Sequence, residues 1–191
     1  MDKYLEASEY IDWQQAEILV LAKQLAKDAD NDAAIAKRCF EWVRDEIKHS
    51  WDYQQDPVTC KASDVLKQGT GYCYAKSHLL AALLRANNIP AGLCYQRLSI
   101  NDDGAPYSLH GLNAVYLKDF GWYRVDARGN KQGVDAQFLP PREKLAFPIN
   151  EMNEKDFPDI LAEPHNAVVE ALTRYQSVKD VFENLPDAEA L

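Results

Sequence analysis

The chain has 191 residues, a formal net charge of −9, and 47% hydrophobic and 27% charged residues. That length can bury a sizeable core, and a single domain over 1–191 is expected. No Lys/Arg-rich run is present, which argues against nucleic acid and anionic membrane as partners. No stretch approaches the ~20 apolar residues of a membrane span. Met1-Asp2-Lys3-Tyr4-Leu5-Glu6 lacks the basic-then-apolar layout of a leader peptide, so a cytoplasmic location is expected. Four cysteines without regular pairing fit a reducing compartment.

Trp13 to Ala29 reads as an amphipathic helix with Ile18, Leu21, Ala22 and Leu25 on one stripe. Asp30-Asn31-Asp32 is a capping break before a second helix from Ala33 to Lys48, which carries Ile35, Cys39, Trp42, Val43 and Ile47. His49 to Thr59 looks like a polar loop, and Lys61 to Gln68 a short helix. The helix starting at Cys73 carries Leu79, Leu80, Leu83 and Leu84, and Asn87-Asn88 ahead of Ile89-Pro90 ends it.

The period then changes. Gly92 to Ile100 is strand-like and Asn101-Asp102-Asp103-Gly104 is a turn. His110 to Leu117 and Trp122 to Asp126 form a hairpin through Lys118-Asp119-Phe120-Gly121. Helices first and antiparallel strands second predict an α+β fold, with N-terminal helices packed on a small antiparallel sheet. Prolines 140, 141, 148, 158 and 164 leave the next stretch irregular until a last helix from Asn166 to Glu183. Residues 133–163 are expected to run as an extended surface segment, with a lid over a cleft as the alternative.

The chemistry-bearing residues are Cys73, His110 and Asp126. Cys73 follows Gly69-Thr70-Gly71-Tyr72, a turn able to present a thiol at a helix N-terminus, where thiolate is favoured. A thiolate needs an imidazole to share its proton, and the imidazole needs an acceptor to hold its ring. His110 lies eight residues before Lys118 and Asp126 eight after it, so an antiparallel fold brings them together. The turn is centred about one residue later, which asks for a bulge or a diagonal pairing. Asp126 could instead merely cap the turn at Ala127-Arg128-Gly129. Cys39 and Cys94 read as small buried hydrophobes, Cys60 is open, and His78 should not face the thiol. The wide, irregular Cys/His spacing and the missing third glycine of a dinucleotide loop lead to no expected metal or cofactor.

Three runs resemble the nucleophile segment of the transglutaminase-like superfamily: Ala62-Ser63-Asp64-Val65-Leu66, Gly71-Tyr72-Cys73, and Ala81-Ala82-Leu83-Leu84-Arg85 with Ile89-Pro90-Ala91. His110 and Gly121-Trp122-Tyr123-Arg124-Val125-Asp126 are similar to its histidine and aspartate segments, so the likeness covers about 33–130. Asn88 stands where glycine is common before Ile-Pro, and Ala127-Arg128 where Pro-Thr is frequent. The resemblance implies a papain-like core in a small stand-alone member, and a Cys73, His110, Asp126 triad working by acyl transfer. The Cys73 backbone N–H is the natural oxyanion donor. The Trp51 indole is a weak second candidate, and an aromatic packed under the sheet is the preferred reading of it.

Three functions follow. The preferred one is a cysteine hydrolase, of peptidase or amidase type, acting on a peptide or small amide substrate. The alternatives are an acyltransferase passing the acyl group to an amine, and a non-catalytic binding module on the same fold. The substrate and the oligomeric state are not legible.

Overall fold

The computed structural model describes residues 1–101 and 103–191. A 3-10 turn at Asp2–Tyr4 precedes α1 (Ala16–Ala26) and α2 (Asp32–Glu46). Asn31 caps α2 by accepting from Ala34 N at 2.9 Å. The first helix is shorter than its apolar stripe suggests, and α2 stops at Glu46 because Ile47 turns extended and buries itself.

His49 to Thr59 is not all loop. Lys48–His49 form β1, Ser50–Tyr53 a single turn of helix, α3, and Gln54 then turns left-handed. α4 (Ala62–Gln68) ends at Gly69, whose φ of +67° favours glycine. β2 (Thr70–Gly71) then pairs in parallel with β1, setting His49 beside Gly71. This pairing fixes where the chain enters α5 (Cys73–Ala86).

Helix α5 is the axis of the core. Leu79, Leu80, Leu83 and Leu84 are buried as expected, but so are its polar residues. Each of those finds a carbonyl: Lys76 Nζ donates to Ile47 O and Arg44 O, Ser77 Oγ to Cys73 O, and Arg85 to Glu6 O, Ala91 O and Ala162 O. Hydrogen bonds offset the desolvation that would otherwise keep these groups at a surface. The helix ends at Asn88 with φ of +58°, a left-handed position that asparagine tolerates and that explains glycine's frequency there.

β3 (Ala91–Ser99), β4 (Tyr107–Leu117), β5 (Gly121–Val125) and β8 (Lys155–Asp156) form an antiparallel sheet in the order β5-β4-β3-β8. α5 packs against β3 and β4, giving the expected α+β layering. The turn expected at 101–104 includes Asp102, which lies outside the described residues; around it, Ser99 Oγ donates to Gly104 O at 2.6 Å. β4 begins three residues before His110, so that histidine lies inside the strand instead of opening it.

The stretch 133–163 is neither featureless nor purely surface. It contains β6 (Gln137–Leu139), paired with β7 (Arg142–Lys144), then β8, and it buries Val134, Ala136, Phe138, Ala146 and Phe157. The last helix is two: α6 (Asn166–Arg174) and α7 (Val178–Glu183), separated at Tyr175–Ser177, where Ser177 caps the second. Among the described residues, no helix is long and apolar enough to cross a membrane.

Candidate active site

Cys73 is the first residue of α5. Tyr72, extended with φ of −63° and ψ of 164°, supplies no side-chain cap. The first-turn N–H groups, which have no intrahelical acceptors, are therefore left to whatever lies at Cys73. Gly111 N donates to Cys73 Sγ at 3.5 Å, adding a backbone donor to the sulfur from the opposing strand. Only glycine allows this approach: a Cβ at 111 would sit 2.9 Å from Tyr74 Cδ1 and 3.1 Å from Tyr74 Cα. The Tyr74 hydroxyl donates to Leu109 O, locking the same two elements together.

His110, next to Gly111, meets Asp126 with Nε2 2.7 Å from Oδ2. The carboxylate also accepts from Ala146 N at 3.0 Å and Arg128 N at 3.1 Å. Asp126 thus does cap its turn, but it holds the imidazole at the same time. Nε2 being taken, Nδ1 is the ring nitrogen left for the thiol. Burial alone would lower the His110 pKa; the Asp126 carboxylate and the Cys73 thiol override it and raise the value to about 10. Burial opposes ionisation of Asp126 too, and the imidazolium with the two backbone donors nevertheless holds its carboxyl below the usual range. The surroundings therefore favour the charged form of both partners; Asp126 is fully buried and His110 keeps only a small exposed edge, with the Phe147 ring edge-on at 5.0 Å.

His78, His165 and the other three cysteines lie elsewhere. His78 Nδ1 is 2.7 Å from Cys60 O and its pKa is lowered to about 4 by burial, well away from the thiol's needs. His165 caps α6. Burial pushes the thiols of Cys39, Cys60 and Cys94 up to about 12. Among the described residues, no group of three or more His, Cys, Asp or Glu could hold a metal ion.

Cys73 and His110 open into a cleft of about 620 Å³. Trp51 and Tyr72 line the helical wall, Leu98 and Leu109 the sheet wall, and Ala146 and Phe147 the rim. Trp51 does not pack under the sheet; it stacks on Phe182 of α7, centroids 3.5 Å apart and planes at 3°. His49, read from sequence as a loop border, also lines the cleft. Burial first, then the Arg128 guanidinium, lowers its pKa well below the ordinary value, so it is neutral. Its Nδ1 is 3.7 Å from Asp52, whose carboxylate takes both terminal nitrogens of Arg128 at 2.6 and 3.0 Å and Lys131 at 2.7 Å. Neither His49 nor the Asp52–Arg128 fork has a sequence signature beyond polarity. The pairing of β1 with β2 is what delivers His49.

The family model of the transglutaminase-like superfamily matches residues 20–127, more than half of the chain. No curated protein matches the sequence. Among solved structures, a candidate cysteine protease from Cytophaga hutchinsonii is similar at 21% identity and a TM-score of 0.53, over 65% of this chain and 40% of that one. The periplasmic domain of TgpA from Pseudomonas aeruginosa shows 19% identity and a TM-score of 0.47, over 65% and 45%. A candidate protease from Parabacteroides distasonis shows 15% and 0.47, over 72% and 26%. This chain therefore spans less than half the length of each of these structures. The match over 20–127, on a fold with helices against an antiparallel sheet, means that the chain belongs to the transglutaminase-like superfamily.

Proposed function

We propose that the chain is a cysteine hydrolase of peptide or other amide bonds, with Cys73 as nucleophile, His110 as general acid and base, and Asp126 as the group that orients and charges the imidazole. The observation that carries this reading is the buried His110–Asp126 pair beside a cysteine at an uncapped helix N-terminus. Here the helix N-terminus, the His110 imidazole and the Gly111 N–H converge on the sulfur that attacks.

The cycle follows from that charge arrangement. Thiolate attacks the amide carbonyl, and the oxyanion develops beside the first-turn N–H of Cys73. His110 Nδ1 gives its proton to the departing amine nitrogen as the C–N bond breaks, leaving a thioester. Neutral His110 then takes a proton from water as the oxygen adds to the thioester. The C–S bond breaks, acid is released, and the thiolate–imidazolium pair returns. Asp126 keeps its negative charge throughout, and the three donors around it hold it still.

We take 1–191 as one domain, a reading supported by core residues running from Ile11 to Val181. The test is incubation with an amide-mimicking electrophile, followed by intact mass and peptide mapping. One adduct on Cys73, absent from Cys73→Ala, is expected. An adduct spread over the four cysteines, with no turnover of any amide, would leave the binding module as the better reading.

A further inference from the structure

The C-terminal segment lies outside the family match and ties the two walls of the cleft together. On the helical wall, Val178 N donates to Asp56 Oδ1 at 2.7 Å and Tyr72 Oη to Val178 O at 2.6 Å, while Phe182 stacks on Trp51. On the sheet wall, Leu109 N donates to Pro186 O at 2.7 Å and Arg97 grips Asp187 through both carboxylate oxygens at 2.7 and 2.6 Å. Between these anchors the chain must cross from one wall to the other; of the apolar residues of the crossing, Val181 is buried in the core while Phe182 and Leu185 line the cleft.

The anchors matter because of where they attach. Tyr72 immediately precedes Cys73, and Leu109 immediately precedes His110. The crossing therefore passes within one residue of both reacting side chains along the chain. It also takes the Leu109 N–H, a backbone donor that an extended peptide would otherwise pair with as an added strand. The cleft volume of about 620 Å³ lies within the ~300–1,000 Å³ typical of small-ligand pockets and suits a few residues of chain.

Resting on Cys73 as nucleophile, we propose that residues 178–187 form an end wall, so that the substrate enters from one side and the bond attacked lies at or next to a chain terminus. Phe182 and Leu185 are the specificity-determining side chains. They would exclude the continuing chain and give the terminal residue an apolar surface, while the ion pair of Arg97 with Asp187 and the stack on Trp51 hold the wall against displacement.

The test uses the full chain and three epoxysuccinyl probes, carrying a dipeptide on one side of the epoxide, on the other, or on both. Thiolate opens the ring by forming a C–S bond as the C–O bond breaks, and the alkoxide takes the imidazolium proton. One one-sided probe should react with Cys73, and adding the second arm should slow labelling by about tenfold or more, the size of a steric exclusion of this kind. Phe182→Ala and Leu185→Ala, each checked for folding by near-UV circular dichroism, should restore the two-armed probe relative to the one-armed probe within the same variant. Equal rates for the one-armed and two-armed probes in the unaltered protein would overturn the end wall, with no variant needed. An unchanged ratio in both folded variants would overturn the roles of Phe182 and Leu185. If iodoacetamide labels Cys73 but no epoxysuccinyl probe does, the end wall falls while the nucleophile stands; if iodoacetamide also fails, the reading of Cys73 itself falls.

Discussion

His110 and Asp126 meet diagonally, not face to face. The β4–β5 ladder ends at Asn113 opposite Val125, so the register extended by one pair would set Asp126 against Leu112, two residues from His110. The carboxylate reaches back along that diagonal to Nε2 at 2.7 Å. Sitting just past the ladder frees Asp126 from strand geometry, and that is what lets it collect Arg128 N and Ala146 N as well.

This relationship sets a pH dependence. His110 is raised to about 10 from its ordinary 6.5. A group raised in the fold contributes stability that is complete below its unfolded value and is lost as pH climbs through the folded one. Asp126 is depressed, so its share is present above 3.8 and is lost as pH falls through its folded value. Asp126→Asn removes both contributions. The stability gap between the parent and this variant should be widest between about pH 4 and 6.5 and should shrink toward pH 10. Urea midpoints at pH 6 and pH 10 measure it, and a gap that grows at pH 10 would contradict the ion pair.

Thiol reactivity provides a second check. Cys39, Cys60 and Cys94 are pushed up to about 12 by burial and hold almost no thiolate near neutrality. Cys73 opens on the cleft beside an imidazolium. Iodoacetamide at pH 6 should therefore modify Cys73 well before the other three, with His110→Ala slowing its labelling and narrowing the preference. Peptide mapping of the alkylated protein reads this out directly, and preferential labelling of Cys60 would remove the nucleophile.

Gly111 tests how the sulfur is held. In Gly111→Ala the new methyl meets Tyr74, including its backbone, so β4 must shift off the start of α5. Overpacking of this kind costs about 1–3 kcal/mol. The same shift lengthens the contact of Gly111 N with Cys73 Sγ, so alkylation should slow in the folded fraction as the melting temperature falls. Slowed labelling without loss of stability would mean that the steric account is wrong.

Much of the frame was legible and its fittings were not. Apolar spacing finds α5 and β3, and the Gly71-Tyr72-Cys73 run, His110 and Asp126 stand out by residue type and order. Periodicity misses that Lys76, His78 and Arg85 are buried, because their acceptors are carbonyls of distant segments such as Ile47, Cys60 and Ala162. A two-residue strand such as β1 has no pattern to detect, and His49 is lost with it. Ala146 reaches Asp126 through a backbone N–H, which any non-proline residue could supply. The crossing at 178–187 is set by pairings such as Arg97 with Asp187, 90 residues apart.

Arg128 should prove structural as well as electrostatic. Its fork on Asp52 is largely buried; burial raises the Asp52 pKa, but the hydrogen bonds from Arg128 and Lys131 override it and lower the value to about 2. Removing one member of a buried pair costs about 3–5 kcal/mol, at the lower end here because Lys131 still reaches Asp52. Asp52 contributes its stability above its ordinary 3.8 and loses it as pH falls through about 2. Arg128→Leu should therefore be least stable relative to the parent near neutrality, and the gap should narrow between pH 4 and 2. Pairing it with Asp52→Asn should recover part of the loss, measured as a double-mutant cycle.

Hydrolysis and amine transfer share the thioester on Cys73 and differ in what attacks it. A transferase must hold a neutral amine against the acyl carbon and keep water from competing. A carboxylate close to the site would hold an amine, but as ammonium, the form that does not attack. The Asp52 carboxylate near the cleft is already taken by Arg128 and Lys131, Asp126 by His110, and the cleft-lining Glu154 by the backbone N–H groups of Ser99 and Asn150. The neutral His49 and the cations Arg128 and Lys131 at the rim do not attract an ammonium ion either. With the amine given no foothold, water at bulk concentration is the acceptor. Millimolar primary amine added to a reacting acyl substrate should leave free acid as the main product, and mass spectrometry of the products should show it. A dominant amine-linked product that disappears in Cys73→Ala would make the protein a transferase, and would mean that the amine is recognised through its alkyl chain against the apolar surface of Trp51, Phe182 and Leu185 instead of through its charge.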